Sequence, residues 1–236
     1  MHSHDEAYVI YNVHFQESSA LIKLLTKNHG VISAVVRGVH QKGKKSNATR
    51  AALQLGNLVE CDWFGHSSLK TISHLDSLKN HHFDTANKFI CLSYIHELIL
   101  FFTRENAFIE NIFALYNDVI NALCGNNIEV GLREFELALL ESLGYGIDFS
   151  WDVTTQDAVK RECLYKVTPE LGVSLVNVIE NDIYAGEVLL QLQQRYFVSH
   201  EVLLVAKKIC RQLLQFHMDG KPLKSRRLYR ELFNAD

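Results

Sequence analysis

The stretch "AYVIYNVHFQESSALIKLLTKNHGVISAVVRGV" occupies Ala7–Val39. It contains three short apolar runs, Tyr8–Phe15, Ala20–Thr26 and Val31–Val36, each rich in β-branched or aromatic residues and bounded by polar turns. His29-Gly30 suits a tight hairpin, because glycine takes a positive φ without steric cost. Two more runs follow, Leu53–Trp63 and Leu69–Leu75. Five short strands with little helix between them predict a small closed barrel. An OB-type barrel is the natural candidate at this length, and the pattern leaves an SH3-like barrel or an open sheet as alternatives.

Beyond His82 the period changes. In Ala86–Phe102 apolar residues recur at helical spacing, with Asp84 placed to cap the helix. Further helices are expected over Phe108–Leu123 and Glu129–Leu143, the latter ending at Gly144. Cys163–Ile179 reads as a small β-hairpin. Helices follow over Gly186–Arg195 and Ser199–His217, then a short one over Ser225–Phe233 with Ser225 as its cap. The expected fold is therefore a small all-β OB-fold barrel, residues 1–80, followed by a mainly α-helical domain, residues 81–236, with a hairpin insertion near 163–179. Overall this is an α+β protein.

Composition narrows the function classes. The 236 residues are 47% hydrophobic, enough for real cores, with no uncharged apolar run of membrane-spanning length. The N-terminus lacks the basic-then-apolar order of a signal peptide, so a cytoplasmic protein without a membrane partner is expected. The five cysteines, 61, 91, 124, 163 and 210, form no CxxC knuckle and read as buried free thiols. The twelve histidines are scattered, and His96-Glu97 lacks a second histidine at zinc-protease spacing. Neither a metal nor any other cofactor is expected. No nucleophile elbow, dinucleotide glycine pattern or catalytic cysteine motif occurs, which argues against an enzyme.

Charge is uneven along the chain. The formal net charge is -3. Residues 1–80 carry nine basic and six acidic residues, 81–150 three and ten, and 151–236 twelve and eleven. Opposed patches of this kind set local potentials that the total conceals. "RGVHQKGKKSNATR" holds Arg37, Lys42, Lys44, Lys45 and Arg50 without an acid and reads as a loop between barrel strands. It lacks phosphate-loop spacing, so its cations point to a phosphate backbone or to ordinary solvation. Residues 206–230 hold eight basic residues and one acidic. There Lys207 and Arg211 share a solvent face, Lys208 lies at its edge, and Val202, Val205, Ile209, Leu213 and Phe216 form the buried stripe. Lys224, Arg226 and Arg227 follow on the last helix, which Leu228 and Leu232 are expected to pin down. The acids between Glu97 and Glu141 read as a solvated face. Tyr11, Phe15, Trp63 and Phe64 lie near barrel strands, where they either stack bases or fill the core.

Two stretches carry a resemblance: "REFELALLESLGYGIDF", Arg133–Phe149, and "GKPLKSRRLYREL", Gly220–Leu232. With the Ala7–Val39 segment, they make the chain resemble the bacterial recombination mediator family RecO along essentially its whole length. The resemblance implies a non-enzymatic DNA repair factor, cytoplasmic and nucleoid-associated. Such a factor binds single- and double-stranded DNA, anneals strands, binds RecR and helps load the recombinase RecA. It also implies a site for the acidic, hydrophobic-ended C-terminal tail of single-strand DNA-binding protein, lined by Arg133 and Leu137. Many members carry a four-cysteine zinc module between the GYG segment and the final helices. This chain has only Cys163 there, so a metal-free hairpin is expected. The competing reading is a protein-interaction adaptor that does not bind DNA directly.

Overall fold

The computed structural model describes residues 2–103, 109, 111–176 and 182–233. Five strands, β1 (His2–Phe15), β2 (Ser19–Thr26), β3 (Gly30–Val36), β4 (Leu58–Phe64) and β5 (Leu69–Lys79), close into a barrel of order β1-β2-β3-β5-β4. All pairings are antiparallel except β3 with β5. This is the OB-like barrel that the sequence pattern favours. Alternate residues such as Val9, Ile22, Leu24, Ile32 and Val59 fill it. Its first strand is also covered outside: Tyr8 and Ile10 are each 1% exposed. Tyr8 packs on Tyr116 at a ring distance of 4.7 Å, and its hydroxyl donates to Asn117 Oδ1 at 2.7 Å. Burial on both faces explains why "AYVI" is a continuous apolar run rather than an alternating one.

Two polar side chains hold the barrel's ends. At the β2–β3 turn, where Gly30 has φ 67, the buried Asp5 carboxylate accepts from Asn28 N and Nδ2, both at 2.8 Å, and pairs with His29 Nδ1 at 3.0 Å. At the other end Asn57 donates to Ala51 O and accepts from His81 N, both at 2.9 Å. Residues 44–52 are not loop. They form helix α1 (Lys44–Ala52), which no hydrophobic period announces because only Ala52 is buried. Residues 53–57 are not strand either. Gly56 turns there at φ 86, and a Cβ at that position would lie 2.9 Å from the Phe83 ring.

Helices α2 (Ala86–Phe102), α3 (Ile112–Cys124) and α4 (Ile128–Ser142) follow. Phe108, expected to begin the second of these, lies outside the described residues. Thr85 rather than Asp84 caps α2, its side chain accepting from Lys88 N, while Asp84 pairs with the Lys88 ammonium at 3.1 Å. His96 is a core residue. Its Nε2 lies 2.6 Å from the Tyr116 hydroxyl, and burial lowers its pKa to about 3. As expected, α4 ends at Gly144, φ 77, with Tyr145 N donating to Leu140 O.

The expected hairpin is part of a larger sheet. Strands β6 (Trp151–Asp152), β7 (Asp157–Ala158), β8 (Leu164–Thr168), β9 (Gly172–Leu175) and β10 (Ile183–Ala185) pair in the order β10-β8-β9-β6-β7. The β8–β9 hairpin is its centre, and residues 177–179 of the expected hairpin lie outside the described residues. Two-residue strands carry no period, which is why β6 and β7 escape a sequence reading. They are tied in by Asp152, 1% exposed. Its carboxylate accepts from Thr154 N at 2.9 Å, Thr155 Oγ1 at 2.6 Å and Leu175 N at 3.2 Å.

Helices α5 (Gly186–Gln193), α6 (His200–His217) and α7 (Lys224–Phe233) complete the chain. Ser199 caps α6 by accepting from Val202 N. The buried stripe of α6 is Val202, Ala206, Ile209, Cys210, Leu213 and Leu214; Val205 is half-buried, and Phe216 is 44% exposed. Of the five cysteines, none of them in a disulfide, Cys61 and Cys210 are buried, Cys91 and Cys163 half-buried, and Cys124 exposed.

By packing, residues 1–124 and 223–236 form one compact unit and residues 125–222 another. This division does not follow the change from strand to helix near residue 80. Helix α7 belongs to the first unit through α2, where the Glu97 carboxylate accepts from Lys224 N at 2.8 Å, Ser225 N at 2.8 Å and Ser225 Oγ at 2.5 Å. Ser225 is thus a donor to an external cap, not the cap itself. Leu228 and Leu232 do not pin the helix, since they are 41% and 56% exposed.

Two outcomes follow from these carboxylates. Glu97→Ala removes charge-assisted bonds of about 1.5–3 kcal/mol each, whereas Leu228→Ala removes half-exposed surface and should cost under about 1 kcal/mol. Hydrogen exchange is therefore expected to rise across Lys224–Phe233 in Glu97→Ala and to stay near wild type in Leu228→Ala. For Asp152, bonds from Thr155, Thr154 and Leu175 outweigh burial and lower its pKa below the ordinary 3.8. A lowered folded-state pKa gives stability that is present above 3.8 and lost as pH falls through the folded value. Thermal melts against pH should show wild type losing stability relative to Asp152→Asn only in that acid range.

Candidate nucleic-acid interface

The acid-free run Arg37–Arg50 lies in the first unit, between β3 and the last turn of α1. Buried Val39 anchors its first half, and Ser46 Oγ donates to Gly38 O at 3.0 Å, folding the loop back on α1. Arg37, Lys42, Lys44, Lys45 and Arg50 are all exposed. Arg50 is steadied by Asn47 Oδ1. Among the described residues none of the five forms an ion pair.

Helix α1 begins in an unusual way. Gly43 at its N-cap has no side chain to accept from the first turn, the first turn holds no acid, and its first two residues are Lys44 and Lys45. Exposed amide donors and two ammonium groups therefore share the positive end of one helix. That arrangement puts positive charge on the positive end of the helix dipole, where an anion is favoured.

The second basic cluster divides between the two units. Lys207, Lys208 and Arg211 lie exposed on α6 in the second unit. Lys208 is engaged by Asp182 at 2.5 Å and stands 5.9 Å from the Tyr184 ring centre, while Lys207 and Arg211 form no ion pair among the described residues. Lys224, Arg226 and Arg227 lie on α7 in the first unit. There the Arg226 guanidinium stands over the Tyr94 ring at 5.8 Å, and Arg227 pairs with Glu231 at 3.5 Å. Of the barrel aromatics, Trp63 is 4% exposed and fills the core, Phe15 is half-buried, and Tyr11 and Phe64 are 36% and 40% exposed.

Arg133 and Leu137 are both buried on α4, at 8% and 3% exposure. Arg133 donates to Glu136 Oε1 at 3.0 Å. Beside them the Cys210 thiol is pushed up by burial, with the Glu136 carboxylate adding to the effect. The acids from Glu97 to Glu141 are not one solvated face: Glu97 caps α7, Glu136 is 2% exposed, and Glu141 binds Arg195. Charge counting missed these roles, although the i,i+3 spacing of Arg133 and Glu136 was a usable signal. Among the described residues, no group of three or more His, Cys, Asp or Glu could hold a metal ion, and no helix is long and apolar enough to cross a membrane.

The family profile "Recombination protein O N terminal" matches residues 1–81, and "Recombination protein O C terminal" matches residues 84–227. The chain belongs to the RecO family. Proteins named "DNA repair protein RecO" share its length as well as its sequence. The one from Psychromonas ingrahamii is 30% identical over 94% of this chain and 96% of its own. The one from Pseudoalteromonas atlantica is 33% identical over 95% and 92%, and that from Coxiella burnetii 28% over 95% and 96%.

Within this RecO-family chain, the Arg133–Glu136 pair yields a sharp contrast. Arg133→Ala removes the guanidinium paired with the buried Glu136 carboxylate and should cost about 3–5 kcal/mol. Replacing both, Arg133→Met with Glu136→Leu, should recover most of that loss. Chemical denaturation of the two variants checks this, and equal destabilisation by both would show that the pair is not coupled.

Proposed function

We propose that the chain is a non-enzymatic DNA repair and recombination mediator that binds single- and double-stranded DNA through backbone phosphates and anneals complementary strands. The observation that carries this reading is the start of α1, an uncapped, acid-free helix end with Lys44 and Lys45 on it, extended by Arg37, Lys42 and Arg50. A phosphate backbone satisfies the free amide donors and relieves the cation repulsion together. Family membership and the names of the relatives favour DNA over other polyanions. Binding of this kind carries little sequence preference, because phosphate contacts fix position and not sequence.

In this reading the barrel, residues 1–80, is the nucleic-acid-binding part, and the helical part, residues 81–236, adds Lys207, Lys208, Arg211, Lys224, Arg226 and Arg227. Lys207, Arg211 and Lys224 are the stronger candidates there, since Lys208, Arg226 and Arg227 already have side-chain partners within the chain. RecR, the recombinase RecA and the tail of single-strand DNA-binding protein are the proposed protein partners. A tail site at Arg133 and Leu137 would require the Arg133–Glu136 pair to open, because both residues are buried.

The test is a salt titration with single-stranded DNA of mixed sequence. Log affinity should fall linearly with log salt, and Lys44→Ala with Lys45→Ala should reduce the slope by about two while leaving the melting temperature near wild type. An unchanged slope removes α1 from the contact. No binding even at low salt favours an adaptor that meets only proteins. Annealing should proceed without ATP, and a strict nucleotide requirement would refute that part.

A further inference from the structure

A cleft of about 580 Å³ opens in the first unit beside the C-terminal end of α1. Asn12, Arg50, Leu53, Gln54, Phe83 and Phe89 line it. This volume falls in the range of small-ligand sites, and the cleft is about half open to solvent. Its chemistry is graded from one side to the other. Leu53 and Phe83 make an apolar floor. Phe89, in the first turn of α2, is 53% exposed although it is a large aromatic, and the Phe83 ring holds it edge-on at 5.9 Å. Gln54 is exposed, and its side-chain amide makes no hydrogen bond among the described residues. Asn12 spends its amide on Leu53 O at 2.8 Å, leaving its carbonyl oxygen. Arg50, held by Asn47, is the one arginine on the wall.

The remaining titratable groups leave that arginine unopposed. Asp84 at the rim is paired with Lys88 at 3.1 Å. His81 in the wall places Nδ1 2.9 Å from Gly56 O, and its burial lowers its pKa, so the ring is neutral at physiological pH. His82 is exposed at the rim.

We propose that this cleft is a subsite for one unpaired base of single-stranded DNA, with the base stacked on Phe89 and its phosphate on Arg50. The proposal rests on the DNA-binding reading above and deepens it. Three features select this occupant. A half-exposed aromatic ring offers a face that every base can stack on. An amide with both a donor and an acceptor can serve the edge of any base without discriminating strongly among them. One arginine matches the single charge of a phosphodiester, whereas a free nucleoside triphosphate would need more. The acid-free run ends at Arg50, so a strand following the cations of α1 arrives at the cleft.

The test uses the full chain and two probes of equal length, a short oligothymidylate carrying one 2-aminopurine and an oligomer made only of abasic sites. Wild type should quench the 2-aminopurine and bind the base-bearing oligomer roughly 5- to 100-fold more tightly than the abasic one. Phe89→Leu, which keeps bulk but loses the π face, should erase most of that difference, and Phe89→Tyr should keep it. Duplex binding should be unaffected in both. No quenching in wild type, or a full difference retained in Phe89→Leu, overturns the subsite while leaving phosphate binding intact. Failure of wild type to bind either oligomer overturns the DNA-binding reading itself. If thymidine monophosphate, or an acidic peptide with an apolar end, competes as well as the oligomer, the cleft belongs to that ligand and the proposal is wrong. Should Phe89→Leu melt early, wild-type quenching and the tyrosine variant still decide.

Discussion

The Glu97 carboxylate at the start of α7 is the contact on which the placement of the chain's last basic helix depends. An isolated ten-residue helix is unstable in water, and among its ten residues α7 buries only Ser225. Leu228, Tyr229, Leu232 and Phe233 remain 41–56% exposed, so apolar burial is not what holds it. Glu97 instead satisfies two first-turn amides and one hydroxyl and sets a negative charge at the positive end of the helix. Arg226 over Tyr94 adds a second fixing point on the same face of α2. These contacts bring the chain back to its first compact unit after the excursion of residues 125–222.

The two basic helices of the first unit make an instructive pair. In α7 a carboxylate of the protein fills the N-terminus. In α1 no side chain among the described residues does so: Gly43 offers no acceptor, the first turn has no acid, and Lys44 and Lys45 add positive charge. One helix end is internally neutralised, and the other is left for an external anion. A solubilising surface usually intermixes signs, whereas this one separates them over fourteen residues from Arg37 to Arg50.

The barrel was legible in the sequence because its strands carry a period or, in "AYVI", a run whose burial on both faces replaces the period. Helix α1 was not, since Lys, Ser, Asn and Thr supply no apolar stripe and its one buried residue is Ala52. The small sheet was half legible: β8 and β9 are long enough to alternate, while β6 and β7 have two residues each and depend on Asp152, a contact made across the sequence. The amphipathic pattern of α7 shows the helix but not what docks it: Leu228 and Leu232 stay half-exposed and polar contacts hold it, because an apolar stripe shows where residues point and not whether anything meets them. At the candidate interface the exposed cations could be read directly. The pairing of Arg133 with Glu136, and of Lys208 with Asp182, could not be read from the charge balance that flagged those regions.

That pairing changes what the net charge means. Many of the acids that outnumber the bases are matched inside the chain. Glu6 meets Lys27, Asp84 meets Lys88, and Glu141 meets Arg195. Glu97 is spent on α7 and Glu136 on Arg133. Paired charges cancel within a few ångströms, and a field at physiological salt extends only about 8–10 Å from its source. A polyanion approaching the Arg37–Arg50 run therefore meets five exposed cations without an ion-pair partner among the described residues, not the average of the whole chain. The formal charge of -3 resists nonspecific adsorption elsewhere, and the local excess of cations sets where binding begins.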